Sequence, residues 1–214
     1  MILHSVMITY DRLDCTKKAF SSYIQTVSVP YSLTFVDNGS TDGTKDWLTD
    51  LAMSGFDVVF LDKNMYPGYA TNRGWECVPA NATFLHRADN DWAYHPGWCD
   101  HLQRAFLNPK VGQVGLRTDR EESHNGVPIA WNVGGNNVIR RELWDAGLRY
   151  DERPWTELPA GHSEDTYLSP AVVSMGYRWV RVKKPCIYGV SVESRDDPYY
   201  QRSYAARRIY GFGP

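Results

Sequence analysis

Ser32-Leu33-Thr34-Phe35-Val36-Asp37-Asn38-Gly39-Ser40-Thr41 is an apolar run that stops in a polar turn. Ser40 or Thr41 can then cap a helix to about Met53, because a hydroxyl accepts a free amide proton of the first helical turn. A strand handing over to a helix in this way is half of a βαβ unit. The alternation continues on both sides. Residues 5–9 read as a preceding strand and residues 14–27 as its helix. Residues 58–61 read as a third strand, a Pro67-Gly68 turn opens a helix to about Cys77, and residues 82–86 read as a fourth strand. Strands separated by helices of this length predict an α/β fold with a largely parallel sheet. Helices cover both faces of such a sheet, which explains strands that are apolar throughout.

The second half is less regular. Residues 97–107 read as a helix, 111–116 as a strand and 118–128 as a loop. Residues 131–139 suggest a strand interrupted by Gly134-Gly135, followed by a helix over 141–147 and a loop over 148–162. A helix over 163–175 and strands over 177–182 and 186–192 complete the pattern. The tail from Arg195, with its arginines and tyrosines, could be a helix, a lid or an oligomer contact.

Composition narrows the function. The 214 residues carry 23 Lys and Arg against 25 Asp and Glu, a net charge of −2. That balance gives no basic footprint for nucleic acid. No run approaches the ~18 apolar residues of a membrane span. The start has no basic segment of a signal peptide, and the four cysteines form no C-x-x-C. A soluble, cytoplasmic protein with free thiols is expected. No P-loop, G-x-G-x-x-G, G-x-S-x-G or H-E-x-x-H occurs, which argues against P-loop NTPases, Rossmann dehydrogenases, serine hydrolases and zinc proteases.

Ligands of open α/β sheets bind beyond the carboxyl ends of the strands. Asp11, Asp37 and the pair Asp89 and Asp91 all fall there. With 17 aspartates in the chain, a D-x-D spacing arises about once by chance. Its place after an apolar strand is the better evidence, since two carboxylates there can hold a hard divalent cation. Glu164-Asp165 opens the predicted helix over 163–175. Such acids often serve the helix dipole, and the functional reading is a general base aimed into a cleft.

Together these blocks resemble family 2 glycosyltransferases of the GT-A fold. Residues 36–44, Val-Asp-Asn-Gly-Ser-Thr-Asp-Gly-Thr, are similar to that family's second-strand signature. Asn64, Gly68, Ala70, Asn72, Arg73 and Gly74 are similar to its next block. Asp89-Asn90-Asp91 stands where its D-x-D stands, residues 135–141 resemble its acceptor-side strand, and Glu164-Asp165 resembles its E-D block. The blocks keep the family's order over roughly residues 3–182.

The resemblance implies a single Rossmann-like GT-A domain over residues 1–194, with a nucleotide half (1–92) and an acceptor half (93–194). It implies that Thr9, Tyr10 and Arg12 line the nucleotide pocket and that Asp37 binds base or ribose. Asn64, Gly68 and Arg73 would lie along the nucleotide. Asp89, with Asn90 beside it, would reach the ribose or a metal-bound water, and Asp91 would ligate Mn²⁺ or Mg²⁺. Asp165 would be the catalytic base with Glu164 beside it, and Gly134, Gly135 and Asn136 would let the acceptor approach the backbone. The implied reaction is inverting transfer from a UDP- or GDP-sugar to a glycan, protein or small-molecule acceptor. Trp131, Trp155 and Trp179 are possible sugar-stacking surfaces. The late histidine ligand of many GT-A enzymes is missing, and Glu193 or the tail could replace it. The alternative class is a non-catalytic nucleotide- or carbohydrate-binding protein on the same scaffold. A pyrophosphorylase would need a Gly-rich basic loop after the first strand, where Thr9-Tyr10-Asp11-Arg12 stands. A glycosidase with paired carboxylates would need no nucleotide.

Overall fold

The computed structural model describes residues 1–117, 123–124, 127–128, 132–159 and 162–190. Its first half is three successive strand–helix units and a fourth strand. The strands are β1 (Leu3–Thr9), β2 (Tyr31–Asp37), β3 (Asp57–Phe60) and β4 (Phe84–Asp89). The helices between them are α1 (Leu13–Thr26), α2 (Thr44–Met53) and α3 (Tyr66–Trp75). β1 lies between β2 and β4 and is parallel to both. The register sets Thr9 opposite Asp37 and Ile8 opposite Asp89. Two of the sequence-predicted acids therefore end neighbouring strands at the same edge.

The second half extends the sheet and reverses one strand. β5 (Trp92–Tyr94), α4 (Trp98–Phe106), β6 (Val111–Gly115) and the short β7 (Ser123–His124) and β8 (Val127–Pro128) come first. β9 (Asn137–Arg140), α5 (Arg141–Asp145), a 3-10 turn (Trp155–Glu157), α6 (Leu168–Ser174), β10 (Arg178–Arg181) and β11 (Ile187–Gly189) follow. The main sheet has the order β10-β6-β9-β4-β1-β2-β3. Only β9 runs against its neighbours, β4 and β6. This is the mostly parallel, helix-flanked sheet that the strand–helix pattern predicts.

Alternation along β1 builds two cores. Leu3 and Met7 face a layer with Phe20, Tyr23, Phe35 and Trp98, while Val6 and Ile8 face Val36, Ala70, Trp75 and Leu85. Each fully buried large side chain contributes about 1.5–3 kcal/mol. Buried polar groups of the strands pair with one another, as they must. Ser5 Oγ meets Tyr23 Oη at 2.7 Å and His86 Nδ1 at 2.9 Å. Burial pushes the His86 imidazole down to about 3, so it is neutral in the fold. All four cysteines are free thiols. Among the described residues, no helix is long and apolar enough to cross a membrane.

Four expectations change. β9 begins at Asn137, after Gly134-Gly135 rather than across them, because Asn137 Nδ2 donates to the Gly134 carbonyl at 2.8 Å and holds those residues as a loop. The helix expected over 163–175 starts only at Leu168, and Glu164 and Asp165 lie in the turn before it. That turn closes locally, with Thr166 N donating to Ser163 O at 3.0 Å and Ser163 N to Thr166 Oγ1 at 2.9 Å. α2 is preceded by Gly43, and Asp42 Oδ1, not a Ser40 or Thr41 hydroxyl, accepts from Thr44 N at 3.1 Å. β5 was not expected and pairs antiparallel with β11. Trp131, Glu193 and the tail from Arg195 lie outside the described residues.

Candidate functional site

The carboxyl edge of β1, β2 and β4 carries the first group. Asp37 is fully buried, and its carboxylate accepts from Thr9 Oγ1 and Ser40 N, each at 3.3 Å. Tyr10 follows at the strand end, half-buried. The next two residues, Asp11 and Arg12, both take left-handed backbone angles, φ 52° and 62°. Side-chain contacts hold this bend. Asp11 Oδ1 accepts from Thr41 N at 2.7 Å, and Asp11 N donates to Ser40 Oγ at 2.9 Å. Asp11 therefore ties two loops together. Asn90 turns inward, donating to Asp11 O at 3.2 Å and Thr16 Oγ1 at 2.8 Å. The bend delivers Arg12 to Asp91, with Nη1 to Oδ2 at 3.1 Å.

The two D-x-D carboxylates differ. Asp89 has both oxygens engaged: Oδ1 accepts from Arg87 Nε at 3.0 Å and Oδ2 from Asn136 Nδ2 at 3.1 Å. Asn136 Oδ1 in turn accepts from Asp89 N at 3.2 Å. Gly135 makes room for this. A Cβ there would stand 2.5 Å from Asp89 Oδ2 and 3.1 Å from Arg87 Nη2. Asp91 keeps 29% of its side-chain surface exposed. Desolvation and then the Asp89 charge push its carboxyl up from the usual range, with Arg12 opposing. The donor set is carboxylate oxygen, which suits a hard cation such as Mg²⁺ or Mn²⁺. Among the described residues no group of three His, Cys, Asp or Glu side chains forms a metal cage. One or two carboxylates with substrate phosphates completing the shell is the usual arrangement for Mg²⁺, so the residues fit that mode of binding.

Arg87 joins this edge to the E-D turn. It sits two residues before Asp89, hence on the same face of β4. Its side chain is 5% exposed, and Nη1 donates to Glu164 Oε1 at 2.8 Å. The guanidinium also lies over the Tyr150 ring, 5.2 Å from its centroid. Glu164 uses its other oxygen to accept from Trp155 Nε1 at 2.8 Å. Burial raises the Glu164 carboxyl, against the attraction of Arg87. Both Glu164 oxygens are thus committed. Asp165, next in the chain, accepts a hydrogen bond from Ser163 Oγ and is the carboxylate less encumbered by charge partners. The approach of α3 to this turn depends on Gly68, where a Cβ would lie 2.0 Å from Asp151 O and 2.9 Å from Glu164 Cβ.

Other expected residues lie differently. Asn64 is exposed, and its Oδ1 accepts from Asn38 Nδ2 at 3.0 Å and Tyr66 N at 2.9 Å. Those bonds hold Tyr66 at φ 66°. For a bulky residue this conformation costs about 1–3 kcal/mol. Arg73 is engaged by Glu76 at 2.8 Å and Glu152 at 3.2 Å, away from the acids. Trp155 packs on Tyr66, with ring centroids 5.7 Å apart. Trp179 belongs to the edge strand β10 beside Arg181. Sequence reasoning missed Arg87. The available signal was a cation inside an apolar strand, two places before an aspartate, which demands a buried partner.

Comparison with known proteins agrees with this fold. Residues 5–153 match the family described as Glycosyl transferase family 2, and the chain belongs to that family. It is similar to the succinoglycan biosynthesis protein ExoA of Rhizobium meliloti (strain 1021), 26% identical over 182 residues covering 71% of this chain and 52% of ExoA. It shares its fold with mannosyltransferase PcManGT from Pyrobaculum calidifontis, solved with GDP-Man and Mn²⁺, at a TM-score of 0.73 and 16% identity over 98% of this chain and 62% of that one. It likewise shares the fold of S. aureus TarS 1-349 solved with UDP-GlcNAc, at a TM-score of 0.70 and 15% identity over 91% of this chain and 60% of that one. The chain therefore spans little more than half of these relatives.

Proposed function

We propose that this chain is an inverting, metal-dependent glycosyltransferase that moves a sugar from a nucleoside-diphosphate sugar to an acceptor hydroxyl. The observation that carries the proposal is the bridge made by Arg87 between the D-x-D carboxylate Asp89 and the E-D carboxylate Glu164. It sets a donor-side acid and an acceptor-side acid on two sides of one buried cation. The similar proteins solved with GDP-Man and UDP-GlcNAc support a nucleotide-sugar donor. In this reading residues 1–92 bind the nucleotide and residues 93–194 the acceptor, with the tail beyond left as a lid or contact.

Each role follows from chemistry already described. Asp37 would accept from a base N–H or ribose hydroxyl, with Thr9, Tyr10, Arg12 and Asn64 around it, while Gly68 packs against Asp151 and Glu164. Arg73 serves the nucleotide only by leaving its glutamate partners. A divalent cation held by Asp91, with Asp89 beside it, would neutralise charge on the departing diphosphate. Asp165 takes the proton of the acceptor hydroxyl as its oxygen bonds to the anomeric carbon. The bond from that carbon to the diphosphate oxygen breaks on the opposite face, so the configuration inverts. Ser163 donates a hydrogen bond to Asp165, and Arg87 anchors the neighbouring Glu164 of the same turn, so that positioning would supply much of the rate.

The test is thermal stability against UDP, GDP and their sugars, with Mn²⁺, Mg²⁺ or chelator. A ligand that binds only the folded state raises its stability by mass action. A metal-dependent shift with one base, followed by turnover of its sugar, is expected. A shift without turnover favours a non-catalytic binding protein, and no shift with any nucleotide removes the donor assignment.

A further inference from the structure

The turn that carries Glu164 and Asp165 is flanked by an aromatic pair with a strained foundation. Tyr66 opens α3 with a left-handed backbone, a conformation that bulky side chains avoid. Asn64 Oδ1 accepts from its amide at 2.9 Å, and Asn38 Oδ1 accepts from the amide of Met65 at 2.8 Å. The strain sets the Tyr66 ring against Trp155, which comes from a 3-10 turn about ninety positions along the chain. The Trp155 ring is itself aimed by its Nε1 bond to Glu164 Oε2. Both residues stay half-buried, so neither ring is core. Strain of this kind persists only where surrounding contacts over-determine it, and it gathers at ligand sites.

We propose that Tyr66 and Trp155 form the binding shelf for a carbohydrate acceptor, beside the base. The inference deepens the proposed function and rests on it. The two rings, tilted by 51°, offer apolar surface on which the C–H face of a pyranose ring packs while its hydroxyls point outward. Asp165 follows Glu164 in the turn that Trp155 contacts, and its carboxylate can accept from one of those hydroxyls. Trp155 Nε1 donates to Glu164, which ties this tilted pair to the turn that carries Asp165. The acceptor is therefore a sugar, bound with one hydroxyl toward Asp165.

The distinguishing variant is Tyr66→Gly. Glycine takes φ 66° without strain, so removing this ring relieves the backbone while it removes the shelf. If the ring were only structural, its loss would lower the melting temperature. The shelf predicts instead a melting temperature within about 2 °C of wild type, or higher. It also predicts loss of sugar contact. The probes are methyl α- and β-hexopyranosides of the gluco, galacto and manno series, followed by saturation-transfer NMR. One or more should bind wild type, and Tyr66→Gly and Trp155→Ala should each weaken that probe by about tenfold. Trp155→Phe should retain part of the signal. UDP and GDP binding to wild type is read separately. If neither nucleotide binds, the glycosyltransferase reading fails. If no glycoside contacts wild type, or contact survives in both ring-deleting variants, the shelf is wrong.

Discussion

The edge proposed for the donor (the donor edge) and the edge proposed for the acceptor (the acceptor edge) are built by different means. At the donor edge, backbone register does the placing: Thr9, Asp37 and Asp89 end strands that are paired residue by residue. At the acceptor edge, side chains do it. Arg87, Tyr150, Trp155 and Glu164 come from four separate segments and reach one another through hydrogen bonds and a ring contact, while Asn137, set opposite Arg87 by the β4–β9 register, bonds Tyr150. An edge set by register tolerates the loss of a side chain. An edge set by a buried network does not, because each deletion leaves a partner unsatisfied in a low dielectric.

The largest effect expected on function is at Asp165. Asp165→Asn keeps the size and hydrogen bond of the side chain but cannot take a proton. Transfer of labelled sugar should fall by about 10²–10⁴, the usual contribution of a general base, with nucleotide binding retained. Near-normal transfer would put the base elsewhere. Next comes the cation that joins the two edges. Arg87→Met strands the buried Glu164 without its counter-charge, a change that typically costs about 3–5 kcal/mol. Urea unfolding measures it. The double variant Arg87→Met with Glu164→Gln should recover part of that loss, because the stranded charge goes with its partner. If the second change adds to the damage, the ion pair is not what holds the acceptor edge.

A smaller and more selective change separates the donor edge. Asp91→Ala deletes a half-buried carboxylate paired with Arg12 at a strand-end turn, so unfolding should move by about 1–3 kcal/mol, less than for Arg87→Met. The metal-dependent part of the stabilisation by UDP or GDP should vanish, leaving only the response seen with chelator. An unaltered metal response would move the cation site away from Asp91.

The same contrast explains what could be read from the sequence. The βαβ rhythm and the ends of β1, β2 and β4 were legible because a parallel sheet forces apolar runs that stop at polar turns. Asp37 and Asp89 followed from that placement. Asp11 also lies at a strand end, yet its carboxylate is spent on Thr41, since position alone does not say which acid a loop needs for itself. The acceptor edge was legible only as a resemblance in Glu164-Asp165. No local pattern foretells that Arg87 reaches Glu164 across 77 positions or that Gly135 exists to admit Asp89 and Arg87. The start of α6 was misplaced for the same reason. Acids before an apolar stretch look like a first helical turn, whereas here the burial of Glu164 and its two partners holds them in a turn outside the helix.

The smallest effect tests the core beneath both edges through pH. His86 lies under β4's functional end, between Ser5 and Tyr94, at 2.9 Å and 3.3 Å. Burial lowers it from 6.5 to about 3. A group depressed in the fold stabilises fully above its unfolded value and loses that contribution as pH falls toward its folded one. Below pH 6.5 the unfolded chain gains a proton that the folded chain refuses. His86 therefore removes about 1.4 kcal/mol of stability for each pH unit lost. The raised carboxyls of Glu164 and Asp91 act with the opposite sign, and buried His4 with the same one. A comparison with His86→Asn cancels those terms, because asparagine keeps a donor and an acceptor but does not titrate. Wild type should be the more stable protein at pH 7, and its advantage should shrink between pH 6 and pH 4 with that slope. Parallel curves would mean that water reaches His86, and with it the floor on which Arg87 and Asp89 are set.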